Sequence, residues 1–474
     1  MGANLIKDEY GLNKTVCHYN YCKYIKGLFL QFKILRQIMI TGNEVKGFET
    51  ELNSMDCKVR KNALSEIIDL LHTGKLHCGE PVEAHNLHCH TFFSYNGYGF
   101  SPSYIAWLGC RSGWFATGIV DFDVLDGVDE FLSAAKKLNS RGVCGIETRA
   151  FIKELADKEI NSPGEPGVAY HMGVGFTSGK AFGQAADFLD NLRSQAAGRT
   201  RKIVELVNAY LAPVMLDFDK DAVTLTPNGN VTERHACLAF RVKAEAIFPD
   251  AAARAGFWAE KLGLEQAEAA KVIDNPVKLE GLIRSKTMKK GGAGYVAPAP
   301  TSFPPLAEMN SFVKACGELP TIAWLDGGSA GEQDVDALLD LHIANGAAML
   351  NIIPDRNWNF ADPEVKKKKV FELNRIIAAA VKRGLPVIAG TEMNAPGLKL
   401  VDDFESEALA PHLNTFVEGA AILFAHTLLQ PEGKGYLSAW AERFKDDAAR
   451  NCFYADFGSK ARWNNFDGLK NALN

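Results

Sequence analysis

The chain has 474 residues, 47 % of them apolar and 23 % charged, with a formal net charge of −5. That length exceeds the roughly 250 to 300 residues a single core organises, so more than one structural unit is expected. The slightly acidic balance argues against a strong nucleic-acid surface, and no apolar run reaches the ~20 residues of a membrane span.

The ten cysteines are scattered over the whole length instead of forming a compact frame. This pattern points to buried thiols in a reducing compartment, by default the cytoplasm. Near the start, Cys17 and Cys22 flank His18 in "CHYNYC", but no second pair follows to complete a tetrahedral zinc site. The next run, "GLFLQFKILRQIMI", is broken by Lys33 and Arg36. It reads either as an amphipathic helix packed on the fold or as sequence upstream of a start at Met39 or Met55. The segment "RKNALSEIIDLLHTGKL" predicts a helix, and residues 1–80 form an N-terminal extension.

From residue 82 onward, short β-branched runs alternate with helical stretches: "FATGIVD", "GVDEFLSAAKKLNSRG", "VCGIETRAF", and later "PTIAWLDGG", "AAMLNII" and "LPVIAGTE". Such alternation predicts βαβ units, with ligands at the carboxyl ends of the strands. The rhythm covers 82–204 and resumes over 298–400. Between them, 205–297 is helical and charged, and it closes with the Gly/Pro-rich "KKGGAGYVAPAPTSFPP". This reads as an inserted subdomain. Residues 401–474 are helical again, as in "LNTFVEGAAILFAHTLL".

Polar residues cluster where the predicted strands end. His88 and His90 follow the first, Asp121 and Asp123 the second, and Glu147 with Arg149 the third. His171 comes next in "AYHMGVGF", and the last strand ends in Glu392-Met393-Asn394. Taken singly, each has an ordinary explanation: a core histidine, a turn aspartate or an ion pair. Their joint occurrence at successive strand ends is what suggests one shared site.

The series "HCHTFFS", "GIVDFDVLDG", "GIETRAF", "YHMGVGF", "PTIAWLDGG" and "GTEMNAPG" resembles the polymerase-and-histidinol-phosphatase (PHP) superfamily of metal-dependent phosphoesterases over roughly residues 82–400. The insert, with "TERHACLAF", resembles the branch acting on nucleoside phosphates and short oligonucleotides, with Glu233-Arg234-His235 where that branch tends to show Arg-Pro-His. The resemblance implies a distorted (βα)7 barrel with a mostly helical inserted subdomain. It matches His88 and His90 to metal ligands, Glu147 to a bridging carboxylate, His171 to a later histidine, and Glu392 and Asn394 to the closing pair.

Several usual ligand positions are changed, with Phe122, Trp324 and Asn394 in place of histidines. His88, His90, Glu147 and Glu392 remain as a four-ligand set for one tight divalent ion, and mixed imidazole and carboxylate donors suit Zn, Mn or Fe. The expected reaction is hydrolysis of a small anionic phosphoester by metal-activated water. Asp121 or Asp123 would act as base or as a partner to a ligating histidine, and Arg149, Arg234 and His235 would hold the substrate. Lys289 and Lys290 read as solvated loop charges. Two other readings stay open: a hydrolase of a non-phosphate ester or amide, and a non-catalytic ligand-binding barrel.

Overall fold

The computed structural model describes residues 42–299 and 301–473. Cys17, Cys22 and the apolar run around Lys33 lie outside the described residues. Two helices come first, α1 (Gly42–Glu51) and α2 (Cys57–His72). Asp56 caps α2 by accepting from Lys58 N, and Ala63, Leu64 and Ile67 supply its buried face. Arg60 secures it through an ion pair with Glu130.

Seven strands form one sheet in sequence order: β1 (Asn86–Cys89), β2 (Thr117–Phe122), β3 (Gly142–Phe151), β4 (Val168–Val174), β5 (Leu319–Trp324), β6 (Met349–Ile352) and β7 (Val387–Ala389). Helices α3 (Pro102–Arg111) and α4 (Val128–Lys137) follow β1 and β2. Helices α10 (Leu306–Ala315), α11 (Val335–Ala344), α12 (Asp355–Trp358) and α13 (Pro363–Lys382) serve the second half. The first strand is buried throughout, as a strand covered on both faces must be.

A regular βα repeat fails at one point. β4 runs antiparallel to both β3 and β5, and no α-helix joins it to β3. The connecting stretch carries Pro163, Gly164, Pro166 and Gly167, which suit a turn and not a helix. The result is a nearly closed seven-stranded α/β barrel with one reversed strand.

Between β4 and β5 lies a helical insertion, α5 (Gln184–Leu211), α6 (Glu233–Ile247), α7 (Ala251–Leu262), α8 (Gln266–Val272) and α9 (Pro276–Ile283). It has its own core around Phe240, Phe257 and Trp258. The expected boundary at 205 falls inside α5, a single 28-residue helix.

At the far end, Leu87, Val143, Val174, Leu319, Met349 and Ile388 share a core with α14 (Leu413–Leu429) and α15 (Asp447–Lys460). These positions are the starts of parallel strands and the end of the reversed one. The C-terminal helices therefore plug the end of the barrel opposite the strand tips. No helix among the described residues is long and apolar enough to cross a membrane. Cys78 and Cys110 form a disulfide where free thiols were expected, because Gly79 N bonds to Cys110 O at 3.0 Å and lays the incoming strap on α3.

The barrel closes through the segment after β7. Glu392 N donates to His88 O and His90 N donates to Glu392 O, both at 2.7 Å. Gly390 permits this approach, since a Cβ there would come within 2.4 Å of His88 N and 2.5 Å of His88 Cβ. Gly390→Ala should therefore destabilise the fold by about 1–3 kcal/mol, as overpacking does elsewhere. Denaturant unfolding measures this, and an unchanged midpoint would mean the closure tolerates a methyl group.

Candidate metal centre

His88 in β1 and His90, one residue past its end and held extended by the bond from its N to Glu392 O, point to the same face, as alternating side chains do. Two strands away in the sheet, β3 brings up Glu147. Its Oε2 lies 3.4 Å from His88 Nε2 and 3.2 Å from His90 Nε2, and all three residues are buried. None of these three atoms has a hydrogen-bond partner among the described residues. Three buried polar atoms facing one another without partners carry a desolvation penalty that a shared cation would remove.

The other ring nitrogens are held from behind. His90 Nδ1 lies 3.1 Å from Ser94 Oγ, and that hydroxyl donates to Asp121 Oδ1 at 2.6 Å. With its proton committed to Asp121, Ser94 accepts from His90 Nδ1–H, which leaves Nε2 bare and directed at Glu147. His88 Nδ1 is 3.2 Å from the Asn351 side-chain amide, whose oxygen is unpartnered among the described residues. The amide orientation that sets Asn351 Oδ1 against Nδ1–H satisfies both groups and bares His88 Nε2 as well. Outer partners of this kind are how proteins fix the tautomer of metal-binding histidines.

The local charges reinforce one another. Burial alone would raise the Glu147 carboxyl, but the two imidazoles, His88 foremost, override it and hold the group down to about 2. Burial lowers His88, and the attraction of Glu147, with a smaller one from Glu392, outweighs it so that the imidazole sits above its ordinary value.

A cavity of about 640 Å³ opens from this group towards the insertion. His88, Glu147, Asp123, Glu392 and Asn394 line its barrel side. Arg149, Arg199, Arg234, Arg284, Arg356, Lys289 and Lys290 line it against Asp123, Glu147, Glu165, Glu233 and Glu392, a formal surplus of two positive charges. Arg149 bonds to Glu165 at 2.7 Å, and it and Arg199 both lie over the Phe303 ring, at 4.2 and 4.5 Å. Lys289, read from the sequence as a loop charge, sits 2.7 Å from Glu233 on the cavity wall. Arg234 reaches Asn394 Oδ1 at 3.4 Å.

Other expected site residues are placed elsewhere. His171 does not join the cluster: antiparallel pairing sets Arg149 opposite Tyr170, so Tyr170 faces the cavity and His171 faces outward. There His171 Nε2 contacts Asn310 Oδ1 at 2.5 Å, and its ring stacks on His342. Burial lowers His171 to about 4, which keeps it neutral. His235 is no substrate contact either; its Nδ1 accepts from Thr232 N in a capping box that starts α6, and burial takes it down to about 3. Glu392 projects into the cavity, but its Oε2 is 2.6 Å from Arg356 and it lies outside the three-donor group. Asp121 accepts from Thr91 N, Thr91 Oγ1 and Ser94 Oγ, so it acts behind His90 and not in the cavity.

Four contributors went unseen in the sequence: Ser94, Asn351, Arg356 and Arg199. Arg356 stands just past β6 in "NIIPDR", so the strand-end rule that singled out Glu392 would have found it. Arg199 lies mid-helix and gives no such signal.

Fold and site together define a nearly closed α/β barrel with a buried His-His-Glu group able to hold a divalent ion. No protein-family model and no curated protein matches the chain. Among solved structures, an amidohydrolase from Chromobacterium violaceum, determined with bound sulfate and no metal, aligns with a TM-score of 0.46 at 16 % identity, over 70 % of this chain and 96 % of that one. An inferred metal-dependent phosphoesterase from Bifidobacterium adolescentis aligns with a TM-score of 0.44 at 18 % identity, over 71 % and 98 %.

Asp121→Ala would strand three buried donors and loosen His90. A loss of about 3 kcal/mol is expected, in line with unsatisfied buried polar groups. Equilibrium denaturation reads it directly, and a loss below the error of the fit would remove Asp121 from this supporting role.

Proposed function

We propose that this chain is a metal-dependent hydrolase of a small phosphoester, a phosphorylated metabolite or nucleotide, with the PHP type of barrel. The observation that carries the reading is the three unpartnered buried donors, His88 Nε2, His90 Nε2 and Glu147 Oε2, set beside a cavity with surplus positive charge. A divalent ion held there, with Zn, Mn or Fe suited to these donors, would supply Lewis-acid chemistry: a water of lowered pKa and charge neutralisation at the phosphoryl group.

The chain's own residues do the rest. His88, His90 and Glu147 offer the donors, and Ser94, Asp121 and Asn351 orient the two rings. Asp123, at the cavity wall, accepts from Thr148 Oγ1 at 2.6 Å. Burial raises its pKa against the pull of Arg199, which suits a carboxylate that takes up a proton during turnover. Arg149 and Arg234 are placed to bind the anion. The cavity volume fits a small ligand, and its cationic lining favours a phosphoester over a neutral ester or amide.

Protein stripped with a chelator and reloaded with Mn2+ or Zn2+ should release phosphate from a panel of mono- and diesters only in the loaded form. His88→Ala and Glu147→Gln should lower the rate by at least roughly 100-fold, beyond what loss of an outer partner alone produces. No metal-dependent release from any substrate in the panel would remove the phosphoesterase reading.

Metal uptake should also depend on pH. The raised pKa of His88 means that its proton persists to higher pH than on a free imidazole and competes with the ion. Affinity for Mn2+ should therefore weaken on acidification, by about tenfold per pH unit below that pKa. Calorimetric titrations at pH 6 and pH 8 would show it, and equal affinities would exclude His88 as a donor.

A further inference from the structure

The Arg356–Glu392 pair occupies an unusual place. The Glu392 backbone is pinned between His88 and His90 by its two main-chain bonds, so its Cα is fixed beside the donors. Its side chain nonetheless turns to Arg356 Nη2 at 2.6 Å. Glu392 and Met393 adopt left-handed backbone angles, φ +64° and +53°, which non-glycine residues hold only where the surroundings enforce them. The Arg356 side chain is 46 % exposed, whereas Glu392 is 12 % exposed. The guanidinium thus reaches in from solvent to a carboxylate at the cavity edge.

We propose that Arg356 is the substrate-binding residue that takes the anionic group next to the metal centre, and that Glu392 is the carboxylate on which it rests when no anion is present. This rests on the hydrolase reading above and assigns Glu392 a role other than resident metal ligand. A phosphoryl group offers the planar guanidinium two oxygens and more negative charge than one carboxylate, so it competes well for the same donors. Arg149 and Lys289 are paired with Glu165 and Glu233, acids from outside the barrel-closing segment. Arg356 alone among these is paired with the residue that closes the barrel beside both histidines.

The pair makes opposite predictions for its two members. With metal-free protein and inorganic phosphate as the probe, Arg356→Ala should weaken binding about tenfold, the scale of one charge-assisted hydrogen bond. Arg356→Lys, which keeps the charge but not the fork, should lose part of that. Glu392→Gln should tighten phosphate binding several-fold because it frees the guanidinium, and in an Arg356→Ala background it should have no effect. Calorimetry with Mn2+ should give Glu392→Gln an affinity within about threefold of the parent, against a loss of tenfold or more for Glu147→Gln.

Unchanged phosphate affinity in Arg356→Ala would overturn the proposal. So would a Glu392→Gln protein that loses Mn2+ tenfold, since that would make Glu392 a ligand. A parent protein that takes up no metal would defeat the hydrolase reading while leaving the phosphate measurements to stand or fall by themselves.

Discussion

The site depends on one closure. Glu392 exchanges two main-chain hydrogen bonds with His88 and His90, and these bonds turn an open sheet into a nearly complete barrel. Without them β1 would be an edge strand. The bonds set the height of β1 against the last strand, and the β1–β2–β3 register then sets it against Glu147. Gly390 is the steric condition for that contact. A backbone constraint thus places three side chains that meet nowhere in the sequence.

Once placed, those side chains are governed by their burial. Withdrawn from water and without a cation, Glu147 and His88 favour each other's charged forms, while the backing groups decide which neutral tautomer each ring would present to an ion. Ser94 donates its hydroxyl hydrogen bond to Asp121, and so accepts from His90 Nδ1 and fixes the tautomer of that ring. Asn351 can do the same for His88 from β6. Four strands, β1, β2, β3 and β6, and the turn after β1 therefore supply the three donors and their supports, and the C-terminal helices pack against the opposite end of the barrel. The cationic residues come mainly from outside the barrel, so the insertion sets what charge the cavity accepts while the barrel sets where chemistry can occur.

Much of this was legible in the sequence, and the failures have a common cause. Alternating strands and helices announced an α/β barrel, and the His88-x-His90 spacing put both rings on one face because period-two geometry is local; the structure brings Glu147 to that face. His171 went astray because its facing depends on the register of β4 against β3, which is a tertiary fact: pairing Arg149 with Tyr170 puts Tyr170 on the cavity face and His171 on the other. His235 was misread for a local reason, since the residue three places after Thr232 is also a capping position. The arginines on the insertion, such as Arg199 and Arg284, converge on the cavity only through the packing of a separate core.

The residues standing where the resembled family has further ligands each have a different occupation here. Phe122 stacks on His90 with ring centroids 4.2 Å apart. Trp324 is 1 % exposed at the end of β5 and offers only a donor, its Nε1–H, which cannot ligate. Asn394 faces Arg234, and Glu392 faces Arg356, so the closing segment is turned towards cations of the protein itself. His171 is behind the wall. A second ion would find Glu147 and little else, and it would sit among guanidinium groups with only one shared carboxylate to offset its charge. The closing segment thus turns its polar side chains to guanidinium groups, and His88, His90 and Glu147 remain, among the described residues, the group that could hold an ion.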